Sequence, residues 1–228
     1  MNVKLIAYSQ PTEALELEGL TNAQELIAFC ARVSNPTNQM NTATSEKLIK
    51  YLVNHKHWSP LEMVSVTLEI ETTREIARQM LRHRSFSFQE FSQRYADPTM
   101  HLAFTTREAR LQDETNRQNS VTLADTPETL ALKKAWEEKQ NAMIALAQST
   151  YQWAIDHGIA KEQARVVLPE GLTMSRLYMQ GTLRSWVHYI DLRSGNGTQK
   201  EHMDVAVACA KVIADVFPLM ETFIAKAS

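Results

Sequence analysis

The stretch RHRSFSFQEFSQRY (residues 82–95) sets three arginines, a histidine, three serines and a glutamate among three phenylalanines and a tyrosine. Guanidinium forks match the oxygens of phosphates and carboxylates two at a time, and aromatic rings offer flat faces. The mixture suits a ligand that is both anionic and flat. From Arg74 to Arg94, five arginines stand against two acids, Glu75 and Glu90, a local excess of three positive charges in a chain of net charge −2. That overall balance argues against a general nucleic-acid or membrane-surface binder, which draws on a basic excess. Arg74, Arg78 and Arg82 recur at spacing four, on one side of a helix with Gln79 close by. Such a row is either a solvated basic face or an anion site, and His83 and Arg84 crowding the helix end favour the site.

Other polar residues carry weaker signals. A serine nucleophile needs a base within hydrogen-bond reach, so Ser92 reads as a donor or as a nucleophile on sequence grounds alone. His55 and His57 form an HxH pair without a third ligand at a recognisable spacing, and no metal is expected. Arg165 enters the apolar run ARVVLP as its one charge, and the exposed end of a strand is a sufficient account. Arg184, His188 and Asp191 share a helical face, with Arg193 at its end, where the helix dipole alone would favour a cation. Neither GxGxxG nor a P-loop occurs, and GNGT (195–198) is too short to count as either. Cys30 and Cys209 lie far apart among apolar neighbours and read as buried free thiols of a reducing compartment. No N-terminal signal segment or run of ~18 apolar residues is present, so a cytoplasmic protein is expected.

The elements that must position these groups follow from periodicity. Residues 2–8 and 63–71 alternate as strands, the second most clearly, with Val64, Val66, Leu68 and Ile70 on one face. Helical spacing covers 21–33, 44–54 and 72–84, with Pro60 breaking the segment between the last two. Phe86 and Phe88 share parity with Glu90, Ser92 and Arg94, so a bend is expected that leaves Ser87, Glu90, Ser92 and Arg94 on irregular backbone. Residues 96–126 are poorly patterned and read as a loop. A long helix starts at Thr126-Pro127-Glu128, runs to about 156 and is stopped by Gly158. A strand at 171–181 and helices at 183–192 and 200–217 complete an α+β fold: an antiparallel β-sheet flanked by long helices, in one domain spanning 1–228.

RHR followed seven residues later by serine (Arg82-His83-Arg84 … Ser92) resembles the signature of the flavin-dependent thymidylate synthases. HWSPLE (57–62), ARVVLP (164–169), LRSWVHYIDLR (183–193) and the Gln199/Glu201 pair resemble further blocks of that family, in its order. Leu61 and Met63 stand where the family has Phe and His, and Thr182 where it has Asn. The resemblance implies reductive methylation of dUMP to dTMP, with methylenetetrahydrofolate as carbon donor, FAD as hydride carrier and NADPH as reductant. It implies a dUMP site of Gln79, Arg82, Glu90, Phe91, Ser92, Gln93, Arg94, Arg165 and Arg193, with Arg193 lying on the pyrimidine and Ser92 either nucleophile or ligand. FAD contacts are implied for His57, Ser59, Arg82, His83, Arg84, Glu90, Thr182, Leu183, Arg184 and His188. A homotetramer with active sites shared between subunits is also implied, with no nucleic-acid or membrane partner. A regulatory module that binds nucleotides without turnover is the alternative from another class.

Overall fold

The structure is a computed structural model and describes residues 1–195 and 197–224. Asn196, within the GNGT turn, lies outside the described residues. A four-stranded antiparallel sheet forms the centre, in the order β1 (Asn2–Tyr8), β2 (Ser65–Thr73), β6 (Met174–Thr182), β3 (Ser87–Glu90). β2 and β6 pair over their full lengths, from Ser65 opposite Thr182 to Thr73 opposite Met174. The alternation in β2 explains why it occupies the middle. Val66, Leu68 and Ile70 point into the core, while Ser65, Thr67, Glu69 and Glu71 line the other face.

Two short helices precede the first central strand, α2 (Ala23–Ala31) and α3 (Ser45–Asn54), after the five-residue α1 (Glu13–Leu17). Asn22 caps α2 by accepting from the Glu25 N–H, as the sequence spacing predicts. β2 turns directly into α4 (Arg74–Met80), and β6 directly into α8 (Leu183–Arg193). The predicted 72–84 helix is therefore shorter at both ends: the first residues finish the strand, and Leu81 to Arg84 form turns. Thr182 caps α8 through its hydroxyl, which accepts from the Ser185 N–H at 3.3 Å. α8 and α9 (Lys200–Ala214) cover one sheet face with Trp186, Val187, Ile190, Val205, Cys209 and Ile213. Trp186 is fully buried, and its indole N–H donates to the Val66 carbonyl at 3.1 Å, which fixes α8 to β2.

α6 (Pro127–Asp156) stands apart from this core. Thr126 and Thr129 form its capping box, and Gly158 takes φ 75° just beyond its end, the left-handed conformation that glycine adopts freely. Over thirty residues it buries only Gln140, Ala147, Tyr151 and Ala154, the last two in a small second cluster with Ala164 and Leu168. The 96–126 segment, expected as a loop, contains α5 (Pro98–His101) and a hairpin of β4 (Arg110–Gln112) and β5 (Ser120–Thr122). Asp113 organises its tip by accepting from the Thr115 and Asn116 N–H groups, which hold its carboxyl far below the usual range. Arg165 lies in a 3-10 turn after α7 (Lys161–Ala164), not at the end of a strand. Among the described residues, no helix is long and apolar enough to cross a membrane.

Phe86 and Phe88 belong to the packing of the main core. The Phe86 ring meets Trp186 edge-on at 4.9 Å and lies against the backbone of Gly181, where an added Cβ would come within 2.5 Å of its Cδ1. Gly181→Ala should displace this ring and cost about 1–3 kcal/mol of stability. Urea unfolding measures it, and an unchanged midpoint would refute the claim that glycine is needed for close approach.

Candidate active site

The arginines of the 74–94 segment divide into two groups by partner. Arg74, buried, meets Glu170 at 3.1 Å and Glu90 at 3.7 Å; Arg78 meets Glu90 at 3.4 Å and Glu170 at 3.8 Å. The acid among these arginines is supplied by the chain itself. Glu90 also accepts from the Ser175 hydroxyl at 2.8 Å. That is why β3 continues straight through Glu90 where a bend was expected: parity aims its carboxylate at two guanidinium groups. Ser87 is likewise in regular strand, and the backbone becomes irregular only from Phe91 onward.

Arg82, Arg84, Arg165 and Arg193 form the other group. Among the described residues none of the four has a carboxylate within ion-pair distance, whereas Arg74, Arg78, Arg94, Arg107, Arg110, Arg176 and Arg184 all do. Arg193 is instead held by a neutral group. Its Nε donates to His83 Nε2 at 3.0 Å. A guanidinium can only donate, so His83 Nε2 is unprotonated and the ring proton sits on Nδ1. Burial pushes the His83 imidazole down to about 4, and the charges of Arg193 and Arg82 act in the same direction. Arg193 is thus fixed in place while keeping its whole charge for a ligand.

Behind these groups lies a buried polar network that periodicity did not reveal. His83 meets the Tyr189 ring edge-on at 5.0 Å. Tyr189 and His202, both fully buried, are joined through the phenol oxygen and Nε2 at 3.1 Å. His202 Nδ1 lies 3.1 Å from Gln79 Oε1, and Gln79 Nε2 donates to Gln199 Oε1 at 2.8 Å. Gln199 Nε2 donates to Glu201 at 3.0 Å and to Glu75 at 3.4 Å. Arg107 pairs with Glu75 at 2.7 Å, and Arg110 hydrogen-bonds Glu201. Burial alone would raise the Glu201 carboxyl, but the Arg110 hydrogen bond, the backbone, Gln199 and the charge of Arg107 hold it below its usual value. Burial also pushes the His202 imidazole down to about 3, aided by Arg193 and His83. The sequence signals for this network were Gln79, His83 and the Gln199/Glu201 pair; Tyr189, His202, Arg107 and Arg110 gave none.

The remaining candidates lie in two flanking regions. Around Arg94, Ser92 Oγ accepts from the Arg94 N–H at 3.4 Å, and among the described residues no histidine or carboxylate hydrogen-bonds this hydroxyl. Arg94 pairs with Glu162 at 3.5 Å and Lys161 donates to the Tyr95 carbonyl at 3.2 Å, so this loop is tied to the short helix that leads into Arg165. Gln93 is buried and its Nε2 lacks a hydrogen-bond partner, and Phe91 tilts against His101. On the other side, Arg184 is hydrogen-bonded to Glu62 from the 3-10 turn Ser59–Met63, and His188 packs on Trp58 at 4.5 Å. Burial lowers the His188 imidazole, with Arg184 acting in the same direction and Asp191 opposing. His57 is exposed and sits edge-on to Tyr51. Leu183 packs in the main core, and its N–H donates to the Val64 carbonyl at 2.8 Å. Leu61, where the resemblance expects an aromatic, is fully buried in the same core. Of the two cysteines expected to be buried, Cys209 is fully so but Cys30 only partly, and burial raises both thiols.

An antiparallel α+β scaffold that carries guanidinium groups without carboxylate partners beside neutral imidazoles has the chemistry of an anion-binding protein. The family model described as "Thymidylate synthase complementing protein" matches residues 16–219, and the chain belongs to that family. It is 47% identical to a "Probable flavin-dependent thymidylate synthase" of Paramecium bursaria Chlorella virus 1, with 96% of each chain covered. It is 45% identical to the "Flavin-dependent thymidylate synthase" of Synechocystis, again with 96% of each covered. In fold it is similar to the crystal structure of the UMP/dUMP methylase PolB from Streptomyces cacaoi bound with 5-Br dUMP. That similarity has a TM-score of 0.77 at 23% identity, covering 97% of this chain and 93% of the other.

The neutral histidines make stability depend on pH. Both imidazoles titrate below their ordinary value of 6.5 in the folded chain, so the unfolded chain takes up protons first as pH falls. The stability they confer is complete above pH 6.5 and is lost as pH falls through about 4 and about 3. Thermal midpoints should decline across that window, less steeply in His202→Leu. A midpoint independent of pH between 6.5 and 4 would contradict the assignment of both rings as neutral.

Proposed function

We propose that this chain catalyses the reductive methylation of dUMP to dTMP, with methylenetetrahydrofolate as carbon donor and NADPH as reductant. The observation that carries the reading is Arg193, anchored by an uncharged imidazole and, among the described residues, without a carboxylate in ion-pair distance. In the overall reaction, carbon five of the uracil ring loses a proton and gains the folate's methylene carbon. A hydride reduces that carbon to methyl, and tetrahydrofolate leaves. Negative charge develops on the pyrimidine while the carbon five position is activated. Arg193 placed over the ring stabilises that charge, an effect worth several kcal/mol in a dry site.

The donor set fits a bound FAD. Arg82 and Arg84 lack carboxylate partners and can meet diphosphate oxygens, beside the neutral His83. Ser59 in the turn Ser59–Met63, with His57 just before it, would flank the cofactor, and Arg184 and His188 present a cation and a ring from α8. Thr182 and Leu183 would contribute through their backbone positions at the start of α8, since one hydroxyl caps the helix and the other side chain is in the core. Bound there, FAD would carry hydride between NADPH and the methylene carbon. For dUMP, Gln79 and Arg82 on one side and Phe91, Ser92, Gln93, Arg94 and Arg165 on the other would surround the nucleotide. Glu90, locked by Arg74, Arg78 and Ser175, would hold the start of that loop. Ser92 acts as a ligand in this reading, because among the described residues no base hydrogen-bonds its hydroxyl.

The same reading treats residues 1–228 as one catalytic domain in a cytoplasmic homotetramer with shared sites. Arg165 follows Ala164 of the small second cluster, whereas Arg82 and Arg193 flank His83 beside the main core, and in this reading a second protomer completes a site that uses all three. α6 offers the surface: Trp136, Met143, Leu146 and Trp153 are exposed at spacings of seven, three and seven, a coiled-coil-like stripe.

The purified protein should be yellow, bleach with NADPH and release tritium from dUMP labelled at carbon five. A colourless protein that binds dUMP without release would replace this reading with the regulatory module. Arg193→Ala should lower kcat by at least ~100-fold with the oligomer unchanged in size-exclusion chromatography. Near-normal turnover removes its role in activation. Arg165→Ala should raise the dUMP dissociation constant about tenfold, as loss of one charge-assisted contact implies. An unchanged constant in calorimetry rejects that assignment.

A further inference from the structure

The buried network behind the site has a definite direction. Glu75 and Glu201 are ion-paired with Arg107 and Arg110 and, as carboxylates, can only accept. Gln199 therefore turns its NH₂ toward them and its oxygen toward Gln79. Gln79 must then present its NH₂ to Gln199 and its oxygen to His202. That requires a proton on His202 Nδ1, which leaves Nε2 to accept from the Tyr189 hydroxyl. Every donor and acceptor along the series is determined by the two carboxylates at its far end. The tautomer agrees with the surroundings: His83 faces both Tyr189 and His202, and Arg193 lies behind it, so a charged His202 would oppose a guanidinium.

We infer that Tyr189 and His202 are positioning residues that hold the Gln79 amide, by a second hydrogen bond, in the orientation the carboxylates set, so that its remaining N–H and lone pair meet the nucleotide at fixed places. The inference rests on the proposed dUMP site but names residues which that site does not contain. Leucine and phenylalanine would fill the same volume without polar atoms. A buried phenol and imidazole are costly unless fully hydrogen-bonded, and here their bonds lead to one partly exposed group at the candidate site, Gln79. An amide free to rotate would present donor and acceptor interchangeably and would bind a nucleotide more weakly.

Calorimetry with dUMP on the flavin-loaded wild type comes first; absence of binding there would count against the proposed function, not against the relay. Neutron diffraction on the same protein tests the relay without any ligand: a deuteron on His202 Nδ1 and none on Nε2 is expected, and the reverse overturns the inference. His202→Leu should raise the dUMP dissociation constant about tenfold and KM with it, while kcat changes less than about threefold. His202→Asn puts an N–H where Nδ1 stood and should return the constant to within about threefold of wild type. Tyr189→Phe should have a smaller effect of the same kind. An unchanged constant in His202→Leu, or His202→Asn as weak as His202→Leu, would show that these side chains act only as packing. Should His202→Leu fail to fold, the asparagine variant and the deuteron position still decide.

Discussion

A guanidinium held by an imidazole that stays neutral is the contact on which the site depends. Were the partner of Arg193 a carboxylate, the pair would cancel and an incoming anion would find no net field. Were His83 charged, the two cations would repel and Arg193 would lose its anchor. Burial of His83 against Tyr189 prevents the second case. The fold prevents the first by assigning carboxylates elsewhere. Glu90 and Glu170 go to Arg74 and Arg78, Glu75 and Glu201 to Arg107 and Arg110, and Glu62 to Arg184. The chain thus builds a local positive field from a near-neutral composition by choosing which arginines to neutralise.

That division also separates scaffold from site. The pairs on Arg74 and Arg107 are partly buried, where removing one partner leaves an uncompensated charge. They tie α4 to β3, to the turn before β6 and to the residues leading into the hairpin, three segments that sequence alone would leave loosely related. The uncompensated arginines sit on turns and helix ends: Arg82 and Arg84 after α4, Arg165 in the turn after α7, Arg193 at the last position of α8. At the end of α8 the helix dipole adds to the hold on Arg193, as periodicity alone suggested.

Periodic segments were legible. The β2 alternation, the long capped α6 and the strand before α8 follow from side-chain spacing, because core packing enforces those periods. Boundaries shifted where a strand runs straight into a helix, since no turn residue marks the change at Thr73–Arg74 or Thr182–Leu183. The β4–β5 hairpin was missed because its strands are three residues long and barely buried, so no alternation is imposed on them. Motif resemblance located Arg82, His83 and Arg193 but not the residues that orient them. Tyr189 and His202 lie within the apolar stripes of α8 and α9, where an aromatic and an imidazole look like ordinary core until their polar atoms are seen to face each other.

The hairpin then has a place in the site's logic despite touching none of its expected ligands. Arg110 at the start of β4 and Arg107 just before it pair with Glu201 and Glu75, and those two carboxylates set the sense of every hydrogen bond back to Gln79. With Arg110 absent, the largely buried Glu201 carboxylate would be left to burial, which favours its protonated form. A protonated Glu201 could donate to Gln199, and the direction of the series would no longer be unique. A segment without strong pattern of its own therefore supplies the boundary condition for the Gln79 amide of the proposed site, through its two arginines and the hydrogen bonds between.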